Sequence, residues 1–240
     1  MKNSLRFQMF QQFKSLDERV YLTWIKLKVI MINFIEFIRV IFHYYGDLIF
    51  LKIDLKLIIS YFFNNPYQVS KQFLSSKRSK NLYAYGETPL TTLELIAKKC
   101  QFSVRDTVFE LGCGRGRTCF WLHHFIGCQV VGIDYVPQFI ERANEVKALF
   151  HLSGIEFRLE NFLETNFSRA TIIYLYGSCY STSFIKQLVS HLETLPLGTK
   201  VVTVSYPLTN YQKKPSFKLL KQFPAKFTWG VAEVYLQIKK

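Results

Sequence analysis

The sequence lacks several features that would point directly to a common class of protein. Its five cysteines include no C-x-x-C pair, and its five histidines do not have the spacing of metal ligands. No run of about 18 apolar residues is free of charge, and Met1 to Phe13 lack the continuous apolar segment of a signal peptide. We therefore expect reduced thiols, no metal site, no simple transmembrane span and a cytoplasmic location.

Acidic residues are also scarce. The chain has 31 Lys and Arg against 17 Asp and Glu, a formal net charge of +14. Residues 1–80 carry 13 basic and 5 acidic residues, so the excess is densest there. A field of this sign attracts nucleic acid, an anionic membrane surface or an acidic protein, and the charge alone does not choose among them.

The first 80 residues are both basic and apolar. Val20 to Tyr45 follows an amphipathic helical pattern, and Leu48 to Phe63 is read as a helix rather than a strand. Pro66 is expected to end the helical region, and residues 75–81 to form a linker. We expect a helical region over 1–80 and a second domain over 81–240, with the apolar helix face either packed on that domain or lying on a membrane surface, which would make the protein membrane-associated.

The most informative segment is a glycine-rich loop between two apolar runs. The first run ends in Glu110, the loop has Gly112, Gly114 and Gly116, and a second run ends in Asp134, 24 residues after Glu110 (134 − 110). Glycines allow a tight turn and a close approach of backbone to ligand, and a carboxylate at this distance can accept ribose hydroxyls. The pattern predicts a nucleotide-binding crossover, and the alternative is a strand-turn-helix that binds nothing.

The glycine spacing favours one cofactor. Dinucleotide loops follow G-x-G-x-x-G, whereas the position after Gly116 is the bulky Arg117. The order E-x-G-x-G-x-G resembles motif I of class I S-adenosylmethionine-dependent methyltransferases. The resemblance implies S-adenosyl-L-methionine as the cofactor, held by Glu110 through the loop and the methionine moiety, by the three glycines, and by Asp134.

The remaining pattern agrees with that family. Helices are predicted at 91–100, 118–125, 137–153 and 182–195, and strands at 107–111, 129–134, 155–159, 171–176, 200–205, 218–223 and 232–239. Parallel strands with an antiparallel end are the methyltransferase arrangement. We therefore predict an α/β, Rossmann-like, seven-stranded class I methyltransferase fold with an α-helical N-terminal extension.

Asn161 and Phe162 follow a predicted strand where a class I methyltransferase often has an acidic residue and an aromatic residue around the adenine. An amide can still hydrogen-bond the adenine edge, and Phe162 offers a stacking face. The alternative for Asn161 is a simple turn residue.

The segment Tyr85-Gly86-Glu87-Thr88 precedes the loop and makes the resemblance more specific. With motif I it resembles the disruptor-of-telomeric-silencing (non-SET) type lysine methyltransferases, in which such a sequence closes over the methionine end of the cofactor. The resemblance continues at residues 172–180, 204–208 and 227–229 and covers roughly 82–240. A related group of small lysine methyltransferases modifies membrane-embedded ATP synthase subunits. The resemblance implies a protein substrate, a lysine amine as acceptor, and cofactor contacts from Thr88 and Tyr176.

One departure concerns the substrate. The histone enzymes have N-N-F-A-F where this chain has Tyr176 to Tyr180, so histone as a target does not follow. Tyr85, Tyr176, Tyr180 and Tyr206 could form an aromatic channel for the lysine stem, or could be ordinary core residues. We assign Tyr85, Glu87, Tyr176 and Tyr180 to catalysis, with Glu87 holding the methionine end or the amine. The alternative for Glu87 is a plain helix-capping role near Thr88.

The implied reaction is an in-line methyl transfer in which the protein positions two reactants and excludes water. It needs no Ser/His/Asp constellation and no metal. Two alternatives stay open: a methyltransferase for RNA or a small molecule, and a non-catalytic membrane-surface or interaction protein with a degenerate cofactor fold.

Overall fold

A computed structural model describes residues 2–77, 85–177 and 180–240, with only the helical backbone for residues 2–19 and 22. The described helices are α1 (Lys2–Tyr44), α2 (Leu48–Ser60), α3 (Pro66–Ser76), α4 (Leu90–Lys99), α5 (Arg117–Trp121), α6 (Pro137–Leu149) and α7 (Thr182–Leu192). The strands are β1 (Thr107–Leu111), β2 (Gln129–Asp134), β3 (Ile155–Leu159), β4 (Ile172–Leu175), β5 (Lys200–Val204), β6 (Phe217–Phe227) and β7 (Gly230–Lys239).

The strands form one seven-stranded sheet in the order β3-β2-β1-β4-β5-β7-β6. β1 to β5 pair in parallel, and β7 lies antiparallel between β5 and β6. The strand order reverses beside β1, since β2 follows on one side and β4 on the other. In open α/β sheets, ligands bind at such a switch point, outside the carboxyl ends of the strands. The predicted Rossmann-like α/β fold is confirmed.

Alternate residues of the central strands belong to two separate hydrophobic cores, one on each face of the sheet. Val108, Val130 and Ile172 pack with the helices of one face, whereas Phe109, Val131 and Ile173 pack on the other face, where α7 lies. Because both faces of the central strands are covered, β4 and most of β1, β2 and β5 are apolar, whereas the edge strand β3 carries Glu156 and Arg158.

Three element predictions need correction. The first helix begins at Lys2, not Val20. Pro66 starts α3 instead of ending the helical region, because the side chain of Asn65 caps the amide of Tyr67 at 2.9 Å and proline suits a first helical position. The predicted helix at 118–125 divides into α5 and a π-helical turn, Leu122–Ile126. Of the predicted linker, Ser75 and Ser76 belong to α3, and residues 78–81 lie outside the described part of the chain.

The N-terminal helices pack on the sheet domain through one side. Val40 and Tyr44 of α1, with Phe50, Ile53 and Leu57 of α2, belong to the same core cluster as Val108 and Val130. In the described residues, no helix is long and apolar enough to cross a membrane.

Polar contacts also hold the N-terminal helices against the sheet domain, on the side that packs there. Asp54 has no solvent exposure, and its two oxygens accept hydrogen bonds from Nε and Nη2 of Arg117 at 2.7 and 2.6 Å. Glu36 of α1 accepts hydrogen bonds from the backbone and the hydroxyl of Thr91, at the start of α4. These contacts attach α1 and α2 to the helices that flank the glycine loop.

Candidate cofactor-binding site

The glycine loop leaves β1 and turns at once toward β2. The amides of Gly112 and Cys113 both donate to the carbonyl of Ile133, at 2.8 and 2.9 Å. Gly112 and Gly114 have φ angles of 79° and 53°, in the left-handed region that favours glycine. A Cβ at Gly114 would lie 2.8 Å from Cε2 of Tyr85. The loop therefore requires glycine at position 114 both for its backbone and for the ring that covers it.

Asp134 closes this loop from the end of β2. Its carboxylate accepts hydrogen bonds from the amides of Gly114 and Val136, at 2.8 and 2.9 Å. Burial raises the pKa of Asp134, and the amides of Val136 and Gly114 partly offset that rise. A carboxylate has about four lone-pair positions, so two amide contacts leave room for ligand hydroxyls.

Glu110 has a different position. Its buried carboxylate accepts hydrogen bonds from the hydroxyl of Thr118 at 2.6 Å and from Sγ of Cys119 at 3.0 Å. Burial raises the pKa of Glu110 to about 7, although Thr118 and Cys119 act in the opposite direction. The side chain joins β1 to the first turn of α5 and does not line the cavity described next.

A cavity of about 460 Å³ opens beside the loop, at the carboxyl ends of β1, β2 and β4. This volume is typical of a small-molecule site. The cavity brings together seven of the residues assigned from the sequence: Tyr85, Gly112, Asp134, Asn161, Phe162, Tyr176 and Tyr180.

Aromatic rings shape much of the wall. Tyr176 stacks on Phe227 with a centroid distance of 5.2 Å, and its hydroxyl accepts a hydrogen bond of 2.6 Å from Nε1 of Trp229. Tyr180 packs on Phe184 at 4.7 Å and on Phe162 at 6.0 Å. The wall is therefore both apolar and fixed by ring contacts. Ser178 and Cys179, in the segment that joins Tyr176 to Tyr180, lie outside the described residues.

Asn161 combines the two roles weighed for it. Its side-chain oxygen accepts a hydrogen bond from the amide of Leu163 at 3.1 Å, and its amide donates to Glu164 at 3.0 Å. These contacts make it a turn residue, while the residue also lines the cavity.

Glu87 is held by an ion pair. Arg115 donates from Nε and Nη2 to its two oxygens at 2.5 and 2.8 Å, and the hydroxyl of Tyr85 donates to the same carboxylate. Burial alone would raise the pKa of Glu87, but Arg115 outweighs it and holds the pKa below its usual value. Glu87 is thus ionised and fixes the ring of Tyr85, which lines the cavity whereas Glu87 and Arg115 do not.

Four other expectations differ from the structure. Thr88 is buried, with its hydroxyl 2.6 Å from that of Tyr174, and is not part of the cavity wall. Gly114 lies under Tyr85, and Gly116 lies under Phe157, so neither lines the cavity. Tyr206 does not join the channel, because the left-handed backbone of Ser205 (φ 76°) follows β5 and Tyr206 packs into the second core instead.

Sequence reasoning missed several wall residues. Tyr135 and Glu160 are direct neighbours of Asp134 and Asn161, so their positions could have suggested them. Ser70, Phe73 and Leu74 of α3 had no such signal, since they lie before the segment of family resemblance. Phe73 contacts Tyr135 edge to face at 5.5 Å, which places the N-terminal region in the cavity wall.

Comparison with known proteins agrees with this geometry. Residues 103–177 match the family model described as a methyltransferase domain. The histone-lysine N-methyltransferase, H3 lysine-79 specific, of Dictyostelium discoideum is 22% identical over 182 residues. The match covers 70% of this chain and 9% of that protein, so the chain spans only a small part of the curated relative.

Solved structures share the fold. TrmN from Thermus thermophilus superposes with a TM-score of 0.54 at 16% identity, over 62% of this chain and 48% of that one. An RNA methyltransferase from Salinibacter ruber, solved with S-adenosyl-L-homocysteine, gives a TM-score of 0.52 at 22% identity, over 65% of this chain and 95% of that one. S-adenosylmethionine, predicted from the glycine loop, is the cofactor of this class of domain. Residues 103–177 therefore match a methyltransferase domain, within a sheet whose fold these solved structures share.

Proposed function

We propose that this protein transfers a methyl group from S-adenosylmethionine to a lysine amine of a protein substrate. The observation that carries the proposal is the aromatic cavity, where Tyr176 and Tyr180 stand beside the glycine loop. The weak likeness to a histone-lysine methyltransferase supports the same acceptor.

The residues of the cavity fit the cofactor. Asp134 can accept ribose hydroxyls while it keeps its two amide contacts, and the ring of Phe162 offers a face for the adenine. Gly112 brings bare backbone to the wall, and a Cβ added there would lie 3.6 Å from the hydroxyl of Tyr180. When bound, S-adenosylmethionine supplies a methyl group already activated on a sulfonium.

The other wall residues suit a lysine. Its four-carbon stem is apolar and can pack against aromatic faces. Surroundings of low polarity disfavour the ammonium form, so Tyr85, Tyr176 and Tyr180 favour release to solvent of the proton that blocks the nitrogen lone pair before the methyl group is transferred. Glu87 is engaged by Arg115, and its role is to hold Tyr85 rather than to take that proton.

The test is transfer of labelled methyl from S-adenosylmethionine to extract of the source cells. We expect a protease-sensitive label that yields methyllysine on acid hydrolysis. RNase-sensitive label would identify an RNA methyltransferase, and label in the low-mass fraction a small-molecule enzyme. Cofactor binding without any transfer would favour the non-catalytic interaction protein.

Two variants distinguish the part of the cavity proposed to hold the cofactor from the part proposed to hold the lysine. Asp134→Asn is expected to lose both binding of S-adenosylhomocysteine and label transfer. Tyr180→Ala is expected to lose transfer while binding changes only a few-fold. Glu156→Gln, which removes a partly exposed carboxylate paired with Arg158 on β3, is the matched control and should change neither.

A further inference from the structure

The helix α2 has two opposite faces. Phe50, Ile53 and Leu57 are buried in the core, whereas Leu48, Leu55 and Ile59 are exposed and lie within about 40° of one another around the helix axis. We call these three residues, with exposed Ile49, the outer face of α2. An apolar surface of this kind on a folded chain marks an interaction site.

The turn after α2 extends this surface. Phe62 and Phe63 are adjacent and are 77% and 90% exposed. Their rings contact each other at 5.2 Å. Two neighbouring aromatic side chains at a turn can enter an apolar phase together, without any change in the core beneath them.

Charge is sorted between the inside and the outside of this region. The four lysines between residues 48 and 77 are all exposed: Lys52, Lys56, Lys71 and Lys77. The one acidic residue in that segment, Asp54, is buried against Arg117. The outward surface is therefore apolar over α2 and the Phe62–Phe63 turn and positively charged as far as the end of α3, with its carboxylate turned inward.

We propose that the outer face of α2 and the Phe62–Phe63 turn dock on an anionic lipid bilayer surface. The apolar side chains enter the boundary between headgroups and acyl chains, while Lys52 and Lys56 remain at the phosphates. An acidic phospholipid matches both the apolar surface and the exposed lysines, whereas RNA would match only the charge.

The docked surface connects directly to the cavity. The helix α3 begins at Pro66, just after the turn, and Phe73 of the same helix lines the cavity wall. The two residues are separated by about 10 Å along the helix axis. Docking of the turn would thus position one wall of the cavity close to the bilayer.

The first test places a fluorophore in the turn. Phe63→Trp should show blue-shifted emission and quenching by brominated lipid with vesicles of phosphatidylcholine and phosphatidylglycerol, relative to the unsubstituted chain. Leu197→Trp, at a residue 78% exposed between α7 and β5, is the matched control and should show neither change. The readout requires no methyl transfer, so it stands or fails separately from the proposed function.

The second test reverses the charge of two lysines and screens charge with salt. Lys52→Glu/Lys56→Glu should weaken vesicle binding about tenfold or more, and raising salt from about 0.1 to 1 M should weaken binding of the unsubstituted chain. Lys213→Glu/Lys214→Glu, outside this region, should have little effect. Equal binding to pure phosphatidylcholine, no blue shift, or a dimer that dissociates on Phe62→Ser/Phe63→Ser would overturn the proposal. Preferential binding of RNA through Lys52 and Lys56 would overturn it as well.

Discussion

Arg117, the first residue of α5, holds both carboxylate oxygens of Asp54, a side chain of α2 with no solvent exposure. The hydroxyl of Tyr45 donates to the same carboxylate at 2.9 Å. Burial alone would raise the pKa of Asp54, but Arg117 outweighs burial and keeps the pKa below its usual value. The ion pair therefore joins the N-terminal helices to the helix that follows the glycine loop.

Asp54→Ala should destabilise the fold strongly. The substitution leaves the Arg117 guanidinium, 15% exposed, without its counter-ion, which costs about 3–5 kcal/mol for a buried pair. Urea unfolding measures the free energy of unfolding. Glu156→Ala breaks a partly exposed pair with Arg158 and should cost about 1 kcal/mol or less. Equal losses in the two variants would contradict this prediction.

Glu110 should make the fold less stable as pH rises toward neutrality. Its folded-state pKa of about 7 exceeds the ordinary value of 4.5, so the folded protein keeps a proton that the unfolded chain releases between these values. The free energy of unfolding should fall by roughly 3 kcal/mol across that window from this group. Glu110→Gln should flatten the fall, and Glu141→Gln, at an exposed position of α6, should not. The measurement is urea unfolding at a series of pH values.

Gly114→Ala should affect both stability and ligand binding. The new Cβ would lie 2.8 Å from Cε2 of Tyr85, and the alanine would have to keep a left-handed backbone. Together these effects should lower the free energy of unfolding by about 2–4 kcal/mol. Displacement of Tyr85 from the cavity wall should weaken S-adenosylhomocysteine binding by calorimetry at least about tenfold.

Gly198→Ala is the matched control for that substitution. Gly198 has a φ of 84°, and a Cβ added there would meet nothing within 4 Å, so only the backbone strain of about 1 kcal/mol remains. Ligand affinity should stay unchanged. If the two variants lose the same stability and Gly114→Ala binds S-adenosylhomocysteine normally, the position of the Tyr85 ring does not depend on glycine at residue 114.

Phe73→Ala tests the contribution of α3 to the cavity. The ring contacts Tyr135 and lines the wall, so its loss should weaken S-adenosylhomocysteine binding about tenfold. Gln72→Ala, at an exposed position of the same helix, should bind normally. The measurement is calorimetric titration of both variants with S-adenosylhomocysteine. Normal binding by Phe73→Ala would show that α3 only borders the cavity.

The bounds of the first three strands could be predicted closely from the pattern of apolar residues in the sequence. β1, β2 and β3 have the expected bounds. The apolar runs of β1 and β2 are buried in the middle of the sheet, whereas the edge strand β3 alternates buried Ile155 and Phe157 with partly exposed Glu156 and Arg158. The tight turn after β1 and the position of Asp134 beside it also follow from the sequence, because the spacing of the glycines and of Asp134 reflects local backbone geometry.

Other site features depend on tertiary packing. Phe73 reaches the cavity only because α3 packs beside Tyr135, and no local pattern encodes that contact. Thr88 bonds to Tyr174 of β4, and Tyr206 turns into the second core, so their sequence motifs placed them near the site without fixing side-chain direction.

The link between Asp54 and Arg117 also constrains how the chain is made. The two residues are 63 positions apart, so Asp54 leaves the ribosome well before its partner exists. At about 5–20 residues per second, the wait is roughly 3–13 s. During that time the apolar inner side of α2 has no sheet to cover it. The partner that neutralises Asp54 and the sheet that covers Phe50, Ile53 and Leu57 are therefore both added only after the N-terminal helices have been synthesised.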